Sequence, residues 1–261
     1  MELTLETIRA AHARIAPYIV RTPLLRLPAL DDALGCEVYA KAECMQRTGA
    51  FKLRGAMNKI LALTEDERAR GFVAASSGNH GRAVAYAAQR FGTHACIVMP
   101  ETAPAVKQAA IRALGAELVL CDAAERFDVA ARLCAERGAT MVPPFDDPLV
   151  MAGQGTVGLE ILEQCPALDA LVVPVSGGGL IGGVATAVKA LAPHVRVYVR
   201  SRRHCRAIGR ACAPGIRCRW SSSARSRTRS SRKSRGMCVF HMWPKTPTAL
   251  RLWRMPTFCA P

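Results

Sequence analysis

"ALVVPVSGGGLIGG" spans residues 170–183, and how these residues fold decides the class of the whole chain. Residues 170–175 form a short apolar run rich in β-branched side chains, the composition of a strand buried on both faces. A serine and three glycines follow, and the pattern from about residue 180 to 191 is helical. A buried strand that turns through glycines into a helix is a unit of a parallel sheet with helices packed on its faces. Glycines at such a turn let backbone N–H groups close round a ligand, and the helix N-terminus adds partial positive charge. Ser176, Gly177, Gly178 and Gly179 are therefore candidates for holding a phosphate dianion. Close packing of strand on helix is the competing explanation. The stretch has neither the Gly-Lys-Ser/Thr of a Walker loop nor the GxGxxG spacing of a dinucleotide site.

The same alternation continues outward on the N-terminal side. Strands are expected at 36–43, 71–76, 94–100 and 116–121. Helices are expected at 53–63, at about 79–91, from Pro104 to a stop at Gly115, up to Gly138, and across 155–165. Short strands alternating with helices of ten to fifteen residues indicate an α/β fold with parallel sheets. Such sheets bind ligands beyond the carboxyl ends of their strands, which directs attention to the strand-to-helix turns.

A second turn, "SSGNHG" at 76–81, follows one of these strands and opens a helix. Ser77 could cap that helix and His80 could lie idle on its first turn. Packed this closely, however, Ser76, Ser77, Asn79 and His80 offer backbone donors for a carboxylate and an amide side chain for a ring hydroxyl. The third turn carries Lys52, in "QRTGAFKLRGA" at 46–56. A lysine between a loop and a helix start lies near the positive end of the helix, which favours its free amine, and such amines form Schiff bases with aldehydes. On its own, Lys52 would read as a surface cation. Together the turns supply an amine for an aldehyde, a cradle for a phosphate and a clamp for a carboxylate, the needs of pyridoxal 5'-phosphate joined to an amino acid.

"TGAFKLRGA", "SSGNHGRAVAYAA", "AGQGTVGLEI" and "VVPVSGGGLIGG", in that order, closely resemble the serine/threonine dehydratase and serine racemase family of fold-type II pyridoxal-phosphate enzymes, over about residues 5–199. The resemblance implies two open α/β domains with parallel sheets, like those of the tryptophan synthase β chain. Residues 1–70 with 150–199 would make an incomplete large domain and residues 71–149 the small one. It further implies that Lys52 anchors the cofactor and then serves as the base that removes the α proton. Phe51 would pack on the pyridine ring, and Asn79 would bond the phenolic oxygen. The turn from Ser76 to His80 would bind the substrate carboxylate, and Ser176 with Gly177, Gly178 and Gly179 would hold the phosphate. The implied reaction is β-elimination from L-serine or L-threonine, giving a 2-oxo acid and ammonia. Racemisation of serine is the second possibility, with Ser77 as acid/base on the opposite ring face. The resemblance also implies a homodimer once the fold is complete.

Charge separates this part of the chain from the rest. The 261 residues carry 36 Lys+Arg against 20 Asp+Glu, a net charge of +16. Residues 1–199 hold 20 of each sign and sum to zero, so the other 16 basic residues (36 − 20) all lie in 200–261, which contain no acid. An arginine-rich, acid-free stretch without amphipathic period, "RSRRHCRAIGRACAPGIRCRWSSSARSRTRSSRKSRGMC" at 200–238, takes the place of the family's remaining hundred or so residues. A frameshifted reading of a GC-rich gene accounts for it best. A disordered solvated tail and a nucleic-acid-binding arm are the alternatives. On the first account the chain is an inactive truncated fragment of such an enzyme, with its tail disordered. The N-terminus lacks the pattern of a signal peptide and no run is long and apolar enough for a membrane helix, so a cytoplasmic protein without membrane or nucleic-acid partners is expected. Cys36, Cys44, Cys96, Cys121, Cys134 and Cys165 have no CxxC spacing and read as reduced core residues, with no metal site.

Overall fold

The computed structural model describes residues 1–200 and, as backbone, a strand at 240–244. In chain order the elements are α1 (Leu5–Ile15), β1 (Leu24–Arg26), α2 (Pro28–Leu34), β2 (Cys36–Lys41), α3 (Lys52–Leu61), α4 (Glu65–Ala69), β3 (Phe72–Ala75), α5 (Asn79–Phe91) and β4 (Ala95–Pro100). Then come α6 (Ala105–Arg112), β5 (Glu117–Cys121), α7 (Arg126–Arg137), β6 (Thr140–Met141), α8 (Pro148–Gln164), β7 (Ala170–Pro174), α9 (Gly179–Leu191), β8 (Arg196–Arg200) and β9 (Phe240–Pro244).

The class is α/β. One sheet has the order β5-β4-β3-β6 with every pair parallel, as crossover helices require. The other has the order β1-β2-β9-β7-β8, and only its β7–β8 pair is parallel. In that sheet the expectation of parallel strands throughout meets a difference. β1 and β2 pair antiparallel, and β9 runs antiparallel to both of its neighbours, β2 and β7. β9 lies within the stretch expected to be a disordered tail, so residues 240–244 depart from that expectation by pairing with β2 and β7, and the expectations for the rest of the tail lie outside the described residues.

The largest departure from the sequence-based boundaries is α8, which starts seven residues before the expected 155. Asp147 caps it, its Oδ1 accepting the N–H groups of Leu149 at 2.8 Å and Val150 at 3.0 Å, and Pro148 takes the first turn, where its missing N–H is harmless. The glycines of α8 have a packing purpose. A Cβ on Gly153 would stand 2.5 Å from the Arg54 carbonyl oxygen of α3, and one on Gly155 would stand 2.9 Å from the Gly183 oxygen of α9. Both partner helices thus approach α8 backbone to backbone. Because α3 begins at Lys52 and α9 begins at the glycine turn, α8 fixes the spacing between them.

Of the six cysteines expected in the core, only Cys36 and Cys96 are buried, while Cys44 is exposed and the rest are half-buried. No disulfide joins them among the described residues. Among those residues, no helix is long and apolar enough to cross a membrane.

Candidate active site

Lys52 is the first residue of α3, and the N-cap position before it is Phe51, which offers no side-chain cap. The lysine is half-buried, its Nζ donates to the Pro144 carbonyl, and it stands 5.2 Å from the centroid of the Phe51 ring. Burial pushes its pKa from 10.5 down to about 8. The shift is toward the free amine, the direction the sequence suggested, and loss of water is its cause. Phe51 packs against the apolar cluster built by β7 and α9, which brings the lysine's helix to the glycine turn.

The clamp turn begins where β3 ends. The Ser76 N–H donates to the Val98 oxygen at 2.9 Å, and the Ser76 hydroxyl accepts the Gly78 N–H at 3.2 Å. α5 starts at Asn79 with Gly78 at the cap position and no side-chain cap, so Ser77 is not the capping residue of this helix. Ser77 and Asn79 are exposed. His80 is different: it is 2% exposed, its Nε2 lies 2.8 Å from the Val142 carbonyl oxygen, and its Nδ1 has no hydrogen-bond partner among the described residues. Only its main chain can face a ligand at the mouth of the turn. Burial, helped by the charge on Lys52, lowers the His80 pKa to about 4, so the ring is neutral near pH 7.

The glycine turn closes on β7. Gly178 has φ +90° at the N-cap of the thirteen-residue α9, a left-handed conformation that glycine adopts without strain. A Cβ on Gly177 would strike the Phe145 ring, and one on Gly179 would lie 2.6 Å from the Phe145 oxygen. Side chains are therefore barred from this turn, leaving its backbone N–H groups and the positive end of α9 for an anion. Ser176 is exposed beside it.

The glycine turn, the lysine and the clamp helix meet one segment that sequence reasoning did not single out, residues 142–147. Val142 meets His80, Pro144 meets Lys52, Phe145 lies on the glycine turn, and Asp147 pairs with Lys59 of α3 at 2.9 Å. Its Asp-Pro start signal for α8 was legible in the sequence, whereas its contacts were not.

A second unforeseen feature lies behind Lys52. Arg54, Lys41, Glu43 and Glu160 are fully buried and pair with one another. Arg54 binds Glu43 through Nε at 2.8 Å and Nη2 at 2.7 Å, and Glu160 through Nη1 at 2.6 Å. Lys41 holds Glu160 at 2.6 Å, the Thr22 carbonyl at 2.6 Å and Gln164 at 2.9 Å. Two cations and two carboxylates sum to zero, the condition under which charges tolerate a dry interior.

An amine of lowered basicity, a glycine turn closed to side chains at the positive end of α9 and a turn that exposes Ser77 and Asn79 make a set that fits an aldehyde bearing a phosphate. The comparisons with known proteins agree. Residues 15–239 match the family described as "Pyridoxal-phosphate dependent enzyme". The chain is 47% identical to a serine racemase of Oryza sativa over 195 residues, 74% of this chain and 58% of that protein. It is 49% identical to the L-threonine ammonia-lyase of Thermotoga maritima over 197 residues, 75% of this chain and 49% of that protein. The solved structure of maize serine racemase superposes with a TM-score of 0.74 at 44% identity, covering 76% of this chain and 61% of that one. The chain thus spans roughly half to three-fifths of the length of these relatives. With a matched region that includes all three turns, the chain belongs to the pyridoxal-phosphate-dependent enzyme family.

Proposed function

We propose that the chain carries the lysine, clamp and phosphate cradle of an enzyme that eliminates the β-hydroxyl of L-serine or L-threonine, yielding the 2-oxo acid and ammonia. One observation carries this reading: the half-buried amine of Lys52 and the glycine turn meet on adjacent residues, Pro144 and Phe145. Pyridoxal phosphate, when bound, supplies the conjugated ring that takes up the charge left when the α proton departs. Lys52 anchors it and, once displaced by substrate, takes that proton at Nζ, a task suited to a pKa of about 8. Phe51 packs beside the ring, and Asn79 bonds its phenolic oxygen. Ser176 and Gly177 to Gly179 hold the phosphate. The turn from Ser76 to His80 holds the substrate carboxylate, with His80 contributing its main chain.

Racemisation is the second reading, supported by Ser77, which is exposed and does not cap α5. We assign residues 1–70 with 150–199 to the larger domain, 71–149 to the smaller, and a homodimer to the complete fold. The relatives' names support these substrates, and the chain's partial span of their length leaves a truncated, inactive fragment as the competing reading. The test is to supply pyridoxal phosphate with L-threonine or L-serine and measure the 2-oxo acid released. Formation that depends on both the cofactor and Lys52 is expected. A chain that binds the cofactor and releases no 2-oxo acid from either substrate supports the fragment.

A further inference from the structure

His80 is an odd residue to find fully buried. A carbonyl only accepts, so the Val142 oxygen assigns the proton to Nε2 and leaves Nδ1 a bare acceptor without a partner among the described residues. Leaving a buried acceptor unmatched is unfavourable, and an apolar side chain would fill the space without that penalty. What the ring gains is the single bond to Val142.

That bond acts on a stiff piece of chain. Val142 continues the parallel pairing with β3, its N–H donating to the Val73 oxygen at 2.9 Å. Pro143 and Pro144 follow, and each residue before a proline is held extended, so the chain stays extended from Val142 to Pro143 and bends only at 144–146. Two residues of extended chain cover at most about 7 Å, so the carbonyls of Val142 and Pro144 move as one piece. The first accepts from His80 and the second from Lys52. The lysine's charge is felt at the imidazole, as expected of two groups hung from one short strap.

We propose that His80 is a positioning residue whose Nε2–H bond to Val142 holds the di-proline strap where the Pro144 carbonyl keeps Lys52 Nζ in the site. This deepens the proposed function, since it rests on Lys52 being the reactive amine. The substrate carboxylate needs only the turn's main chain, which leaves the imidazole for this second duty. When the bond is lost the strap drifts, Lys52 gains water, and its basicity returns toward that of an ordinary lysine.

Trace acetylation with acetic anhydride over a range of pH, read by mass spectrometry on the Lys52 peptide, tests this in the full chain after hydroxylamine has released any bound aldehyde. In the parent protein the labelling midpoint should lie near pH 8. His80→Leu fills the space without a donor and should move the midpoint upward. Lys52 labelling near neutral pH then falls about tenfold for every pH unit by which the midpoint rises. His80→Gln can still present an N–H to Val142 and should leave the midpoint in place. An unchanged midpoint in the leucine variant overturns the proposal, as does a glutamine variant whose midpoint moves equally. Should the leucine variant fail to fold by circular dichroism, His80→Asn, whose amide is too short to reach Val142, is read by the same two criteria. Labelling does not require the cofactor, so a chain that never binds pyridoxal phosphate would defeat the functional reading without touching this one.

Discussion

Replacing Arg54 with leucine should cost the fold about 3–5 kcal/mol at neutral pH, because it strands a buried charge. Arg54 shares its guanidinium between Glu43 and Glu160, with Nη2 reaching Glu43 at 2.7 Å and Glu160 at 2.9 Å. After the change Lys41 still holds Glu160 at 2.6 Å, whereas among the described residues Glu43 keeps only the Thr22 hydroxyl, at 2.5 Å. One cation then faces two carboxylates in a region with no exposed side-chain atoms. Natural domains hold about 5–15 kcal/mol in all, so the loss is a large fraction of the total. It should also depend on pH. In the parent protein Arg54 and Lys41 lower the Glu160 pKa against the opposing effect of its burial, so its contribution is present above 4.5 and lost as pH falls below it. Losing Arg54 removes the first of the interactions that lower the Glu160 pKa, so the variant has less of this contribution to lose and the deficit should shrink as pH falls from about 7 to below 4.5. Chemical denaturation followed by circular dichroism measures both effects. Adding Glu43→Gln to the arginine variant should recover part of the loss. A deficit under about 1 kcal/mol, equal at both pH values, would mean that water already reaches the cluster and that no charge is stranded.

Gly177→Ala drives a methyl group into the Phe145 ring and should weaken pyridoxal phosphate binding about tenfold or more, as read by absorbance titration. Phe145→Ala in the same chain should restore part of the affinity, and no restoration would show that the ring is not the obstacle. If the proposed racemisation accompanies elimination in a frame-corrected, full-length version, Ser77→Ala there should abolish D-serine formation from L-serine while leaving pyruvate formation within about a few-fold of the parent. Equal loss of both would make Ser77 a shared carboxylate ligand.

The elements that the sequence revealed were those governed by local rules. α5 begins and ends within about a residue of its expected bounds because an apolar period lies between a glycine turn and Gly92, which takes a left-handed C-cap. The glycine stretch at 177–179 was legible because only a close approach or positive φ calls for such a run. What escaped were relations between distant residues. Arg54 and Glu160 lie 106 residues apart, and nothing in either neighbourhood marks them as partners at zero exposure. The strap at 142–147 looked like an ordinary loop because its purpose lies in two main-chain carbonyls, which have no sequence signature. His80 was placed with the clamp by its position in SSGNHG, and only the three-dimensional fold turns its ring inward to Val142. β9 could not be foreseen either, since its neighbours β2 and β7 belong to parts of the chain far from residue 240.

Lys52 is the proposed anchor of the cofactor, and borohydride reduction tests that assignment. The full chain is incubated with pyridoxal phosphate, reduced, digested and mapped by mass spectrometry. A yellow absorbance that borohydride bleaches is expected, with one dominant phosphopyridoxyl-lysine, on Lys52, absent from Lys52→Ala. Label found chiefly on Lys59, or spread over exposed lysines such as Lys107 with Lys52 unmodified, would contradict it.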